Sequence, residues 1–205
     1  MGNVVLYHLL SLDGVALEDH SEWFTDGGPE MFANLGRVIG PQDDIILGRV
    51  TYDSWVEYWP NSDLDPFASF INTSRKHVFT SGTPGATWAN TTVVTTPAAE
   101  HVADLKQQPG GDIGIHGSIG LATSLLRAGL VDVLELVVAP AVAGQGRRAF
   151  DGEATKQTLA LTDVQRSSLG TPFLTYRRRT ATADDIAATQ PAQACTIWSW
   201  TPFAG

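Results

Sequence analysis

Short apolar runs rich in β-branched residues alternate along the chain with stretches whose apolar residues recur at helical spacing. Residues 3–10, NVVLYHLL, are too short for a helix, so they predict a buried strand, which the turn-forming SLDG of residues 11–14 ends. Apolar residues three and four apart predict a helix over residues 29–39, with Pro29 in its first turn. Further strands are predicted at residues 43–47, 77–80, 91–95, 112–116 and 133–140, and further helices at residues 51–57, 96–107 and 118–128.

The order of these elements predicts the fold class. Strands alternate with helices through residue 138, which is typical of a mainly parallel sheet covered by helices on both faces. Residues 159–165 and 171–177 flank the turn-forming SSLG and predict a closing hairpin. We therefore expect an α/β domain over residues 1–179, built as three α/β/α layers around a mostly parallel central sheet with an antiparallel C-terminal strand. The composition changes after that point, so residues 180–205 are expected to be a tail whose aromatic side chains dock on protein.

The acidic composition narrows the classes of ligand. The chain has 205 residues and a net charge of −9, which disfavours nucleic acid and anionic membranes, because both attract basic surfaces. A compact anion could still bind where arginines and backbone N–H groups are concentrated locally. The single cysteine, Cys195, provides neither a disulfide framework nor a CxxC metal pair, and no metal is expected. Since no signal-peptide pattern and no membrane-length apolar run is visible, we expect a cytoplasmic protein.

Residues 144–149, GQGRRA, match the dinucleotide-binding pattern G-x-G-x-x-G/A, and Asp163 follows at a suitable distance. That fingerprint has to open a helix whose N-terminus meets a pyrophosphate. Here FDGEATKQ follows and interrupts any helical pattern, and a strand is predicted from residue 159. We therefore interpret the segment as a glycine-rich loop that joins two strands.

The segment HGSIG, residues 116–120, lies between a predicted strand and a predicted helix, where the nucleophile of a serine hydrolase would lie. That pattern needs a small residue in place of His116 and a histidine after the serine, but no histidine follows Ser118. We therefore interpret Ser118 as the N-cap of the helix. The segment also predicts an anion site, because Gly117 lets a ligand approach the backbone and the first N–H groups of the helix lack partners, with Gly120 leaving the first turn open.

A second junction between a strand and a helix repeats this arrangement. The strand at residues 43–47 ends at Gly48, Arg49 follows, and Thr51 is predicted to start a helix. The planar guanidinium of Arg49 suits a phosphate monoester, and Thr51 can add a hydroxyl and an N–H. Two such junctions at one edge of a sheet can hold both ends of a dinucleotide, with Arg49 on the adenosine 2′-phosphate of NADP. The alternative, in which Arg49 pairs with a surface carboxylate such as Asp53, stays open.

Several motifs in these segments carry a family resemblance. They are SLDG after the first strand, DIILGRVTY (44–52), WP (59–60), NTSRKHVFTS (72–81), the long run DIGIHGSIGLATSLLRAGLVDVLELVVAP (112–140) and GQGRRAF (144–150). On these motifs the chain resembles the dihydrofolate-reductase-like superfamily, in particular the branch that includes the reductase domain of bacterial riboflavin biosynthesis. The resemblance covers residues 3 to about 178 and is strongest in the segment 112–150.

The resemblance implies NADPH as hydride donor and a homodimer. It implies that the loop of Leu12, Asp13 and Gly14 lies over the nicotinamide and the substrate. In such a reductase the proton could come from solvent or from Asp13. For the cofactor, Gly48, Arg49 and Thr51 would hold the adenosine 2′-phosphate end, Thr80, Ser81 and Gly82 would line the adenosine side, and Gly117, Ser118, Ile119, Gly120 and Leu121 would meet the pyrophosphate.

Some of these assignments have ordinary alternatives. Glu30 is the nearest match to the acidic residue that holds the pterin in dihydrofolate reductases, but a first-turn carboxylate favoured by the helix dipole is the preferred interpretation. Asp13 can equally be a turn residue. Tyr52, Trp55 and Trp59 could line a substrate pocket or pack in the core.

The expected function is therefore that of an NADPH-dependent reductase acting on a small heterocyclic or sugar-like substrate. Hydride transfer needs little acid–base chemistry from the protein, which agrees with the lack of an evident catalytic cluster in the sequence. The alternative from a different class is a nucleotide-binding protein without turnover, serving as a sensor or an oligomeric module.

Overall fold

The computed structural model describes residues 2–17, 22–24, 27–150 and 157–179. Five α-helices and eight strands lie in this part of the chain. The helices are α1 (Glu30–Ile39), α2 (Arg49–Tyr58), α3 (Phe67–Thr73), α4 (Ala98–Gln107) and α5 (Ile119–Arg127), with a short 3-10 helix at Trp59–Asn61. The strands are β1 (Val4–Leu10), β2 (Gln42–Gly48), β3 (Arg75–Phe79), β4 (Thr91–Val94), β5 (Asp112–Ile115), β6 (Val133–Val138), β7 (Leu159–Arg166) and β8 (Pro172–Arg178).

The strands form one sheet in the order β4-β3-β2-β5-β1-β6-β8-β7. All neighbours from β4 to β6 pair in parallel, whereas β8 is antiparallel to β6 and closes an antiparallel hairpin with β7. The predicted fold class is therefore confirmed, including the antiparallel strand near the C-terminus of the domain.

Side chains of the central strands alternate between two hydrophobic cores, one on each face of the sheet. Val4 and Leu6 of β1 pack with α4 and α5, where Val102, Leu105, Ala122 and Leu125 are buried. Val5 and Tyr7 of β1 pack on the other face with α1, and further along that face α2 and α3 cover β2 and β3. The central strands read as almost continuous apolar runs because both of their faces are buried.

Two local features differ from the sequence-based expectation. Helix α2 begins at Arg49 rather than at Thr51, because Gly48 keeps an extended backbone and serves as the N-cap. Helix α3 was not predicted, because its seven residues are too few to show a clear helical period. It follows Pro66, which occupies the N-cap position, and its buried residues are Phe67, Ala68 and Ile71.

The sheet opens between β1 and β5 at its carboxyl edge. The last paired residues of these two strands are Leu6 and Ile115. β1 nevertheless continues beside β6 as far as the pair Leu10–Val138. The residues of β1 after Leu6 are thus paired on one side only, and the first turn of α5 lies next to this split.

The predicted tail, residues 180–205, lies outside the described residues, as does Cys195. None of the helices in the described ranges combines the length and the apolar character that crossing a bilayer requires. Within the same ranges, no group of three or more histidine, cysteine, aspartate and glutamate side chains is placed to hold a metal ion.

Candidate functional site

The two predicted junctions meet at the carboxyl edge of the sheet. β2 and β5 are parallel neighbours, so α2 and α5 begin side by side. The Ser118 hydroxyl oxygen accepts a hydrogen bond from the Gly48 N–H at 2.7 Å and lies 2.8 Å from the Thr51 hydroxyl oxygen. The three predicted residues therefore form one contact that fixes the two helix starts against each other.

The backbone before α5 adopts a conformation that few residues accept. Gly117 has φ 155°, and a Cβ placed there would lie 3.0 Å from the Thr51 methyl carbon. Ser118 is left-handed, with φ 57° and ψ 72°. Ser118 is the N-cap residue by position, but the prediction that its side chain caps α5 is wrong, because its hydroxyl bonds instead to Gly48 and Thr51.

The start of α5 consequently offers hydrogen-bond donors to a ligand. Among the described residues, none accepts a hydrogen bond from the backbone N–H of Gly120 or Leu121, whereas the Ala122 N–H donates to the Ser118 carbonyl. Gly120 is exposed, and Leu121 is half-buried. Unsatisfied N–H groups and the positive end of the helix dipole favour an anion at this position.

Arg49 lies between α2 and the loop that follows β3. Its Nε donates to the Asp53 carboxylate, and its Nη1 donates to the Thr83 carbonyl oxygen at 2.7 Å. The pairing with Asp53, which the sequence left open as an alternative, is thus present. The Arg49 side chain is nevertheless 34 % exposed and remains at the rim, beside the loop of Thr80, Ser81 and Gly82.

The loop after β3 is open to solvent beside Arg49. Ser81 and Gly82 are exposed and Thr80 is half-buried. The Thr80 hydroxyl oxygen accepts a hydrogen bond from the Gly82 N–H at 3.1 Å, which shapes a tight turn. The structure therefore brings together the residues predicted for the adenosine end of a dinucleotide.

A cleft of about 440 Å³ runs along α5 on the side of the loop that joins β6 to β7. The GQGRRA segment lies in this loop and opens no helix, as expected. Sequence reasoning missed the contribution of this segment to the cleft; the available signal was a pair of adjacent arginines in a chain of strongly negative net charge. The residues lining the cleft are Ile119, Gly120, Thr123, Ser124, Arg127, Arg147 and Arg148.

The carboxylate of Asp13 connects the loop after β1 to the loop after β6 by hydrogen bonds. Its carboxylate accepts hydrogen bonds from the Ser11 hydroxyl at 2.7 Å, the Ala143 N–H at 2.9 Å and the Gly144 N–H at 3.0 Å. The Ser11 hydrogen bond, followed by the one from Ala143, lowers the pKa of Asp13 to about 2. The carboxylate is therefore ionised at neutral pH, and a proton for any reaction has to come from elsewhere.

Of the three aromatic residues predicted to line a substrate pocket or pack in the core, Tyr52 is buried, and Trp55 and Trp59 are half-buried. Tyr52 is 1 % exposed, packs against Trp88 and donates its hydroxyl proton to the Ala86 carbonyl oxygen at 3.1 Å. Trp55 packs its ring against the rings of Trp59 and Phe67. The alternative of core packing therefore describes Tyr52, because a side chain buried to this extent cannot contact a substrate in this conformation.

Glu30 links α1 to the turn between β7 and β8. Its carboxylate accepts hydrogen bonds from the Ser168 N–H and the Ser168 hydroxyl, both at 3.1 Å. Its own backbone N–H, and then Ser168, hold the pKa of Glu30 below its usual value. These contacts are those of the first-turn carboxylate that the sequence analysis preferred.

The arrangement does not support serine hydrolysis. His116 is buried, and its Nε2 lies 2.7 Å from the Gln42 side-chain oxygen. Burial lowers the pKa of His116 to about 3, so the ring is neutral and its Nε2–H donates to Gln42. Within the described ranges no histidine contacts the Ser118 hydroxyl, whose partners are Gly48 and Thr51.

Known proteins resemble this chain over most of its length. Residues 3–174 match the family model of the RibD C-terminal domain. The chain is 30 % identical over 138 residues to the uncharacterized protein YyaP of Bacillus subtilis. The aligned region covers 65 % of this chain and 73 % of that protein.

Two solved structures share the fold. A putative riboflavin biosynthesis protein from Shewanella sp. PV-4 superposes with a TM-score of 0.64 at 16 % identity, over 87 % of this chain and 99 % of that chain. Dihydrofolate reductase from Enterococcus faecalis, solved in complex with NADP(H) and RAB-propyl, superposes with a TM-score of 0.57 at 16 % identity, over 87 % of this chain and 98 % of that chain.

Proposed function

The chain belongs to the RibD C-terminal domain family, a reductase-like family, and from this premise we propose that it is an NADPH-dependent reductase of a small heterocyclic or sugar-like substrate. The observation that carries the proposal is the junction of two helix starts at one edge of the sheet. Ser118 joins them through Gly48 and Thr51, with the guanidinium of Arg49 beside them.

The residues at this edge fit the phosphates of NADPH. The N–H groups of Gly120 and Leu121 and the dipole of α5 suit the pyrophosphate. The left-handed backbone at Gly117 and Ser118 keeps side chains away from this approach. The bound cofactor would supply the hydride, and the protein would bind, orient and shield it.

The adenosine end fits the neighbouring strand junctions. Arg49 donates from Nε to Asp53 and from Nη1 to Thr83, and among the described residues none accepts a hydrogen bond from its Nη2, which would bind a 2′-phosphate. Thr80, Ser81 and Gly82 would line the adenosine from the loop after β3. Asp53 holds the guanidinium in place but also reduces the net positive charge, so the preference for NADPH over NADH rests on the geometry of Arg49.

We assign Asp13 a structural role, in which it holds two loops of the site together. Its ionised carboxylate ties the loop after β1 to the loop after β6, and the Ala16 N–H adds a bond to the Arg147 carbonyl oxygen at 2.9 Å. A fixed loop over the reacting ring would exclude water and orient the substrate. We assign the proton of the reduction to solvent, because the lowered pKa of Asp13 leaves no proton to donate at neutral pH.

A nucleotide-binding protein without turnover is the second candidate. It is favoured by the absence, within the described ranges, of an acid–base pair at the junction of α2 and α5, where the hydroxyls of Ser118 and Thr51 bond to each other. This candidate shares the cofactor site and differs only in chemistry.

Oxidation of NADPH separates the two candidates. The protein should be incubated with NADPH and a panel of pterins, aminopyrimidines, their ribosylated forms and small carbonyl compounds, and the loss of absorbance of the reduced nicotinamide followed. The reductase proposal expects at least one substrate to accelerate this loss. Tight NADPH binding without acceleration by any compound would favour the second candidate, and failure to bind NADPH would contradict both.

A further inference from the structure

Four polar side chains form a histidine network between the sheet and α4, nearer the amino ends of β2 and β3 than the candidate site. Arg75 donates from Nε and Nη2 to the two oxygens of the Asp44 carboxylate, at 2.8 and 2.7 Å. Nε2 of His77 lies 3.0 Å from the same carboxylate. Nδ1 of His77 lies 3.0 Å from Nε2 of His101. The proposed cofactor site uses none of these four residues.

The histidine network joins two elements of the fold. Asp44 shares a face of β2 with Ile46, which packs with residues of α4 and α5, and His77 is the partner of Ile46 in β3. The side chains of Asp44 and His77 are 5 % and 12 % exposed. His101 is half-buried on α4, and its ring meets the ring of Phe79 edge-on. The hydrogen bond between the two imidazoles therefore connects α4 to β3.

The ionised carboxylate sets the direction of these hydrogen bonds. Burial by itself would raise the pKa of Asp44, but the hydrogen bonds from Arg75 and His77 outweigh burial and hold this pKa below its usual value. A carboxylate only accepts, so Nε2 of His77 carries a hydrogen and donates it. In the neutral ring Nδ1 of His77 is then an acceptor, and Nε2 of His101 donates to it.

The network accepts one proton without losing a hydrogen bond. When a proton binds Nδ1 of His101, the hydrogen on Nε2 of His101 can pass to Nδ1 of His77, and the bond between the rings simply reverses its direction. A second proton has a different effect. Both facing nitrogens then carry a hydrogen, so neither accepts, and two cationic rings lie side by side.

The charged groups around the two rings oppose that second proton on balance. Burial, and then the charge of His77, lowers the pKa of His101, although the carboxylates of Asp104 on α4 and Asp44 on β2 act in the opposite direction. On β3, Arg75 adds a positive charge beside Asp44. The neighbouring strand β4, Thr91–Val94, contributes no ionisable side chain.

The sign of the pH dependence follows from this lowered pKa. A histidine that is free of its folded environment titrates near 6.5, so an opened contact takes up a proton that the closed contact resists. The bond between His77 and His101 therefore stabilises the closed form fully above about pH 6.5. This contribution is lost as the pH falls below that value towards the lowered pKa of His101.

We propose that the hydrogen bond between His77 and His101 is an acid-sensitive contact, which releases α4 from β3 when both rings are protonated. The proposal stands on the geometry of the histidine network and does not depend on which of the two candidate functions is correct. Because β3 leads directly into the loop of residues 80–82, release of α4 weakens the support of the proposed adenosine site in mild acid.

Hydrogen exchange of the α4 amides between about pH 7.5 and about pH 5, corrected for the intrinsic pH dependence of exchange, measures this release. In the wild type the protection of α4 should fall by up to about tenfold per pH unit below about pH 6.5, because the open form holds one more proton. The protection of α1, on the opposite face of the sheet, should change little over the same range.

His101→Gln and Glu100→Gln form a matched pair of variants on α4. The amide of the first both donates and accepts but does not titrate, so it keeps a bond to either protonation state of His77. Its α4 protection should stay level down to about pH 5. Glu100 is exposed and lies outside the histidine network, so Glu100→Gln should follow the wild type. An equal fall in wild type and His101→Gln, or level protection in the wild type, would overturn the proposal.

A second measurement on the wild type is independent of the stability of any variant. The nitrogen-15 chemical shifts of the imidazoles report which ring nitrogens carry a hydrogen. His77 and His101 should take up their two protons in two separate steps, the first of them shared between the rings. Independent titration of the two rings at one common midpoint would overturn the coupling on which the release depends.

Discussion

At the scale of single residues, the site is built from side chains that bond to one another rather than project freely. Ser118 satisfies Gly48 and Thr51, Asp13 satisfies two backbone N–H groups, and Arg49 holds a carboxylate and a carbonyl oxygen. Such contacts fix the geometry of a site before a ligand arrives, which reduces the entropy lost on binding. The residue types were visible in the sequence, but their partners depend on loops that meet only in the fold.

Asp13 leads to a prediction about acid stability. Because its pKa is lowered to about 2 in the folded protein, it stabilises the fold above the pKa of an unfolded aspartate, near 4, and this contribution is lost as the pH falls towards 2. Asp13→Asn should therefore be less stable than the wild type at pH 7, and the difference should shrink between about pH 4 and pH 2. Urea unfolding at several pH values measures it.

Asp163→Asn is a suitable control for that series, since Asp163 lies on the exposed edge strand β7 and contacts the side chain of Gln165 there. It should change the pH dependence little. A stability difference between wild type and Asp13→Asn that stays constant down to pH 2 would show that the charge of the carboxylate does not stabilise the contact between the two loops.

At the scale of secondary-structure elements, the central feature is the contact between the starts of α2 and α5. The sequence predicted both junctions because glycine and serine or threonine follow apolar strands at each. It could not predict the left-handed Ser118, since a serine after a strand usually caps its helix with the side chain. It also missed α3, which owes its helical form to the packing of Phe67 and Ile71 on β2 and β3.

The close approach of these two helix starts can be tested by adding a side-chain atom between them. A Cβ at Gly48 would lie 2.5 Å from the Ser118 hydroxyl oxygen, so Gly48→Ala should destabilise the fold by about 1–3 kcal/mol, the range for overpacking. Ser118→Gly removes the obstructing side chain. The double variant should therefore be less destabilised than the sum of the two single variants, which thermal or urea unfolding of all four proteins measures.

Additive effects in that cycle would contradict the direct contact between the two helix starts. Gly85→Ala provides a control for glycine substitution, because a Cβ there meets no atom within 4 Å. Its effect should be small and should add independently to that of Ser118→Gly.

At the scale of the whole molecule, the parallel topology explains why the site could be located from the sequence. Parallel strands end at one edge of the sheet, so two junctions that follow strands of the same sheet share a rim. The sequence could not show that β2 and β5 are direct neighbours, because strand order is set by long-range packing. For the same reason it left Tyr52 open between a substrate pocket and the core, and it did not locate the split between β1 and β5.

The homodimer implied by the resemblance remains a prediction at this scale. Exposed apolar side chains occur on the outer strand, at Leu161 and Val164, and in the adjoining turn at Leu169. Light scattering coupled to gel filtration measures the mass in solution. We expect twice the 22.0 kDa mass of one chain, and a monomer over the whole accessible concentration range would contradict the prediction.

The most direct test of the account compares the affinities of Arg49→Ala for NADPH and NADH. The two cofactors differ only by the 2′-phosphate assigned to Arg49. The variant should lose about 1.5–3 kcal/mol of NADPH affinity, the usual worth of hydrogen bonds to a charged group, while its affinity for NADH hardly changes. Asp53→Asn, which keeps the shape of the partner without its charge, should bind NADPH at least as well as the wild type. An equal loss for both cofactors in Arg49→Ala, or no loss for either, would contradict the assignment of this rim to a 2′-phosphorylated dinucleotide.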